Sequence, residues 1–162
     1  MKDYETIETM TNEALQKVIS AWMPEVTFSE EASQFLTVFV QPSELHALMV
    51  QLKSNTETQF DYLFCLSGVD WGEKLGVVYH LESTTLRHML VVKVEAEDRE
   101  QPYLDSVYDI WATAEFHERE VFDFFGIKFN NHPNLKRLFL TEEWIGYPLR
   151  KDYEDETNMI IR

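Results

Sequence analysis

Cysteine is almost missing: Cys65 stands alone in 162 residues. That excludes a disulfide framework, a cysteine-rich zinc site and the ligand set of an iron–sulfur cluster. The thiol sits in the apolar run 60–69, where it is expected to act as a small buried hydrophobe and not as a nucleophile. Glycines are few and scattered, at 68, 72, 76, 126 and 146, so there is no glycine-rich loop to cradle a phosphate. Nor is there a Gly-x-Ser-x-Gly elbow; Ser67-Gly68 reads as the end of a strand. No run approaches the ~18 apolar residues of a membrane span, and residues 1–11 lack the basic-then-apolar pattern of a secretion signal. Bases are outnumbered, 14 against 29 acids for a formal charge of -15, which argues against nucleic acid because clustered cations supply most of that affinity. The deficit is uneven. Residues 1–115 hold 20 acids and 7 bases, whereas 116–162 hold 9 and 7, so the relatively basic C-terminal third is the part suited to face an acidic partner.

What remains is a chain 44% hydrophobic and 14% aromatic, long enough for one domain with a core of its own. Leu15, Val18, Ile19 and Trp22 recur at helical spacing and predict a helix over residues 11–23, stopped before Pro24. Alternation over 26–29 and 35–41 predicts a hairpin. Pro42 then opens a second helix whose Leu45, Leu48, Met49 and Leu52 face inward while His46 stays solvated. Strands are expected over 60–69, 75–81 and 87–94, followed by a polar surface connection over 96–102. Strands grouped in runs favour an α+β fold, a mainly antiparallel sheet with helices on one face. Pro133, Gly146 and Pro148 predict an extended, irregular C-terminal arm, so the chain divides into a domain over 1–130 and an arm over 131–162. Met159, Ile160 and Ile161 end that arm as an apolar group in need of cover.

The chemistry is concentrated in residues 115–152. Trp111, Ala114, Val121, Phe122 and Phe125 predict a third helix beginning near Asp105 and closed by Gly126. Glu115, Arg119 and Asp123 are four apart and form a candidate ion-pair ladder. Glu118 falls inside the apolar stripe, where a carboxylate needs a partner; Lys136, Arg137, Arg150 and Lys151 are the nearest cations, and an arginine, Arg137 or Arg150, is the expected clamp because a guanidinium satisfies both oxygens. A metal reading of His117, Glu118, Glu120, Asp123 and His132 lacks the spacing: there is no second Glu-x-x-His and no His-Glu-x-x-His. Trp144, Tyr147, Pro148, Leu149 and Arg150 are residue types of protein–protein interfaces. They suit either docking on a partner or folding back on the domain.

Glu118-Arg119-Glu120, Asp123-Phe124-Phe125-Gly126-Ile127, His132-Pro133, Lys136-Arg137-Leu138, Glu142-Glu143-Trp144 and Gly146 through Tyr153 resemble the pattern of the 30-kilodalton subunit family of proton-translocating NADH-quinone oxidoreductase, respiratory complex I. Val69-Asp70-Trp71 is similar to a weaker, earlier motif of that family, and Glu154 departs from it where many relatives have proline. The resemblance implies a peripheral-arm subunit that binds no cofactor and catalyses nothing itself. Flavin, iron–sulfur clusters and quinone would belong to partner subunits, chiefly a large subunit shaping the quinone pocket, on the cytoplasmic face of the inner membrane. Glu118, Arg119, Glu120, Asp123, His132, Arg137, Trp144, Tyr147, Arg150, Lys151 and Asp152 would then fix the domain and arm in the assembly. Similar domains occur in membrane-bound hydrogenases and ferredoxin-linked complexes. From other classes, a small metal-dependent hydrolase using His117 and Glu120, and a soluble assembly module, stay open.

Overall fold

The computed structural model describes residues 10–31 and 33–155; Met159, Ile160 and Ile161 lie outside them. Helix α1 spans Asn12–Trp22. The Thr11 hydroxyl caps it by accepting from the Ala14 amide, and Leu15 and Ile19, one turn apart, are buried. Strands β1 (Thr27–Phe28) and β2 (Leu36–Val40) pair as the expected antiparallel hairpin. Pro42 opens one 3-10 turn through Glu44, and helix α2 follows over Leu45–Ser54. Its Leu45, Leu48, Met49 and Leu52 are buried as the spacing predicts. His46 is not simply solvated, because its Nε2 bonds the Asp109 carboxylate at 2.9 Å.

Strands β3 (Tyr62–Asp70), β4 (Leu75–Ser83) and β5 (His88–Glu95) form an antiparallel meander. β2 lies parallel to β5, giving the order β1-β2-β5-β4-β3. Cross-strand rows such as Leu66, Tyr79 and Val92 point to one face, and all three residues join the single core with the helices' apolar residues. A bulge between Leu63 and Cys65 keeps both Leu63 and Leu66 on that inner face, three residues apart where strict alternation would demand an even number. It also leaves Cys65 half-buried, its Sγ 3.4 Å from the Ser67 hydroxyl, so the fully buried setting expected for the thiol is corrected. Gly76 permits a close approach of β4 to β5. A Cβ there would be driven into the Val94 carbonyl oxygen and the Trp71 ring. Gly76→Ala is therefore expected to cost about 1–3 kcal/mol in denaturant unfolding; unchanged stability would show that β4 and β5 can separate locally at no cost.

Helix α3 covers Ala114–Phe125, between the short parallel strands β6 (Tyr103–Asp105) and β7 (Lys128–Asn130). It does not begin near Asp105, which closes β6. Residues 106–113 are held in turns instead. The Val107 amide bonds Glu118, the Trp111 indole N–H donates to the Phe60 carbonyl at 3.1 Å, and Lys53 donates to the Ile110 carbonyl. These long-range bonds outweigh a few residues' helical preference, which is worth at most ~0.7 kcal/mol each. The connection 96–102 is mostly exposed, although its two ends, Ala96 and Pro102, are buried.

Candidate functional site

Residues 131–155 contain no helix or strand and run beside α3 in the same direction. Their anchors fall in order along the helix. His132 Nε2 bonds the Glu115 carbonyl at 3.0 Å. Arg119 donates from Nε and Nη2 to the carbonyls of Lys136 and Arg137. Asp123 takes the next turn, accepting from Arg137 Nη1 at 3.0 Å and from the amides of Leu138, Phe139 and Leu140 at 3.0, 2.6 and 3.0 Å. At the helix end, the Leu149 amide donates to the Phe124 carbonyl and Arg150 Nε to the Phe125 carbonyl, so the arm satisfies acceptors that a helix C-terminus leaves free. Glu115, Arg119 and Asp123 thus mark three successive holds on the arm and not the expected ladder along the helix surface.

The expected arginine clamp on Glu118 is also corrected. Arg137 pairs with Asp123 and spends its other Nη on the carbonyls of Trp144 and Gly146. Glu118, fully buried, accepts from the Val107 amide at 2.8 Å and bonds the Ser106 hydroxyl at 2.6 Å. The reason is geometric. Glu118 and Asp123 stand five residues apart, on sides of α3 more than 100° apart, and the arm lies over the side of Asp123. Burial pushes the Asp123 carboxyl up, but the Leu140 and Phe139 amides, Arg137 and the Leu138 amide together hold it below its ordinary value. Glu118 meets only neutral donors, and burial drives it up to about 7 against the pull of Ser106 and Val107.

Tyr147 closes the helix end. Its ring lies over Gly126, whose φ of 73° is the left-handed cap conformation and whose missing Cβ leaves the ring its place. The Arg150 and Arg137 guanidinium carbons stand 4.7 and 5.3 Å from the ring centroid. Past Tyr147 the chain reaches back to β3. Asp70 accepts from both Nη atoms of Arg99 at 2.8 and 2.9 Å, from the Gly72 amide and from the Lys151 amide. Arg99 also pairs with Asp152 at 2.8 Å. The Arg99 guanidinium holds the Asp70 carboxyl far below the usual range despite burial. Lys151 contributes its backbone here, while its side chain is exposed. Sequence reasoning missed Arg99, a lone base in a polar stretch without periodicity, although Asp70 lay in a motif already singled out.

Glu120 is exposed and His117 half-buried, and among the described residues no group of three His, Cys, Asp or Glu side chains is arranged to hold a metal. No helix among them is long and apolar enough to cross a membrane. A different set of side chains is turned outward. Phe116, Phe139, Ile145 and Leu149 are 57%, 64%, 88% and 54% exposed. Phe139 stacks on Phe124 at 5.6 Å, and the Leu149 amide meets the same residue's carbonyl. Of these four, only Leu149 stood out in the sequence; Phe116 stands alone between polar residues, while Phe139 and Ile145 have apolar neighbours and no periodicity to mark them as exposed.

The segment that supplies every one of these anchors lies within the reach of a known family. The family model described as "Respiratory-chain NADH dehydrogenase, 30 Kd subunit" matches residues 38–158. The chain is 50% identical over 120 residues to the NADH-quinone oxidoreductase C/D subunit of Phocaeicola vulgatus, covering 74% of this chain and 23% of that protein. It is 46% identical over 110 residues to the NADH-quinone oxidoreductase C subunit of Chloroherpeton thalassium, covering 67% and 45%, and 38% identical over 141 residues to that of a Roseiflexus species, covering 85% and 80%. The chain thus spans about a quarter of the length of its C/D relatives. Among solved structures it is similar to a chain of the membrane-bound sulfane sulfur reductase, an archaeal respiratory membrane complex, with a TM-score of 0.75 and 26% identity over 88% of this chain and 85% of that one. With a motif-bearing arm, a matching fold and a family match over three-quarters of its length, the chain belongs to the 30 Kd subunit family of respiratory-chain NADH dehydrogenases.

Proposed function

We propose that this chain is a non-catalytic peripheral-arm subunit of a proton-translocating NADH-quinone oxidoreductase, supporting electron transfer from NADH to quinone by holding partner subunits in place. The observation that carries this reading is a division of labour across the arm and the helix it runs beside. Its charged side chains Arg137, Arg150 and Asp152 are spent inside the chain, whereas Phe116, Phe139, Ile145 and Leu149 are left to solvent. Apolar and aromatic side chains presented on an anchored scaffold are what the centre of a protein interface requires. The partner would be the large subunit that shapes the quinone pocket, with flavin, clusters and quinone held by other chains and attachment at the cytoplasmic face of the inner membrane. The likeness to a sulfane sulfur reductase chain supports a second reading, the equivalent subunit of a related respiratory membrane complex with a different electron donor.

Capture of the tagged chain from gently solubilised native membranes, with mass spectrometry of what comes with it, decides between the readings. Flavin- and cluster-bearing subunits with a polytopic membrane arm support the first; a hydrogenase-like or ferredoxin-linked set supports the second. The paired substitutions Phe139→Asp and Leu149→Asp are expected to reduce capture by roughly 30-fold or more, the scale of an interface hot spot, while leaving the circular dichroism spectrum unchanged. Undiminished capture would remove the patch from the interface.

A further inference from the structure

One buried group has no part in the docking just described. Glu118 and the His132 side chain are both fully buried, with His132 Nε2 3.9 Å from Glu118 Oε2. The ring is committed elsewhere. Nδ1 accepts from the Asn134 amide at 3.0 Å, so Nε2 carries the hydrogen and donates to the Glu115 carbonyl. We propose that Glu118 and His132 are a proton-controlled latch: with Glu118 protonated the imidazole holds Glu115, and with Glu118 ionised the imidazole N–H turns to the carboxylate, changing how the first residues of the arm are tied to α3.

The surroundings favour these two states over an internal ion pair. An imidazolium could not accept from the Asn134 amide, so moving the proton from Glu118 to His132 would break that bond. Protonated Glu118 remains satisfied, because the Ser106 hydroxyl at 2.6 Å can accept its hydrogen as readily as donate its own. From β4, Tyr79 is buried with its hydroxyl unpartnered among the described residues, and burial, with Glu118 and Asp105, pushes the phenol's pKa up and keeps it neutral. Asp109, within the 106–113 turns, further disfavours charge on Glu118. From the arm side, Tyr108 and His132 face each other with ring centroids 6.5 Å apart. Among the described residues, no lysine or arginine stands within ion-pair distance of Glu118; the neutral His132 ring is the one basic side chain that near.

The sign follows from the raised carboxyl. Stability contributed by protonated Glu118 is fully present below the ordinary glutamate value near ~4.3 and is lost as the pH rises through about 7. The test titrates the full-length chain with carboxyl-13C-labelled glutamate and 15N-labelled histidine. Glu118→Gln identifies the glutamate signal, and the His132 Nε2–H resonance is followed across the same range. One glutamate titrating near neutrality, with His132 Nε2–H moving at the same midpoint, is the expected result. In denaturant, the unfolding constant of wild type relative to Glu118→Gln should rise roughly 100-fold between pH 5 and 8. Ser106→Ala gives an independent variant and should move the midpoint upward, since the ionised form loses a donor. A Glu118 signal titrating in the ordinary glutamate range, or a His132 resonance that stays still while Glu118 titrates, overturns the latch.

Discussion

Asp123→Ala is expected to cost about 3–5 kcal/mol, the typical penalty for removing one partner of a buried ion pair. The side chain is fully buried and accepts four hydrogen bonds, one from Arg137 and three from consecutive amides of residues 138–140. Its loss strands a guanidinium that is 15% exposed and three amides that no longer have an acceptor. Arg137→Ala should cost a similar amount, since it also releases the carbonyls of Trp144 and Gly146. In combination the two should be far from additive, with the double variant little worse than either single one. Urea unfolding of the four proteins measures this. Within the proposed complex, both single variants should lower assembly and activity together. A fully assembled complex with abolished activity would point to a direct chemical role and contradict the structural one.

Arg99→Ala should have an effect of the same order, about 3 kcal/mol. Asp70 is 2% exposed at its side chain and would keep only the Gly72 and Lys151 amides. The lost pair with Asp152 adds little, because that carboxylate is largely in water. The pH dependence separates this from a generic packing defect. Asp70 is held below its ordinary value by Arg99, so its contribution is present above the unfolded-state value near ~3.9 and fades as the pH falls below it. Stability curves of wild type and variant should therefore stand apart at neutral pH and converge in acid. Curves that remain parallel down to pH ~2 would assign the loss to packing.

Helix α2 and the sheet were readable because their residues obey short-range rules. Leu45, Leu48, Met49 and Leu52 kept their helical spacing in the core, and β4 and β5 kept their positions to within a residue or two. The start of α3 was not readable, because the turns before it are fixed by Phe60 and Lys53, about fifty residues and more upstream. For the candidate site, the residue types were legible and the pairings were not. Asp123 and Glu118 are both acids on one helix, and which of them meets Arg137 depends on the path of an arm without periodicity. Arg99 was invisible for the same reason. Its role exists only because the arm returns to β3, bringing Asp152 to the guanidinium and the Lys151 amide to Asp70.

That return sets an order on the making of the protein. Asp70 and Lys151 are 81 positions apart, and as the ribosome delivers the chain from the N-terminus the sheet emerges long before its last amide donor does. During that interval Asp70 has Arg99 and the Gly72 amide but not its fourth donor, and the last carbonyls of α3 lack the donors of the arm. The contacts that tie the arm to β3 and to the end of α3 are therefore among the last this segment can make as it emerges.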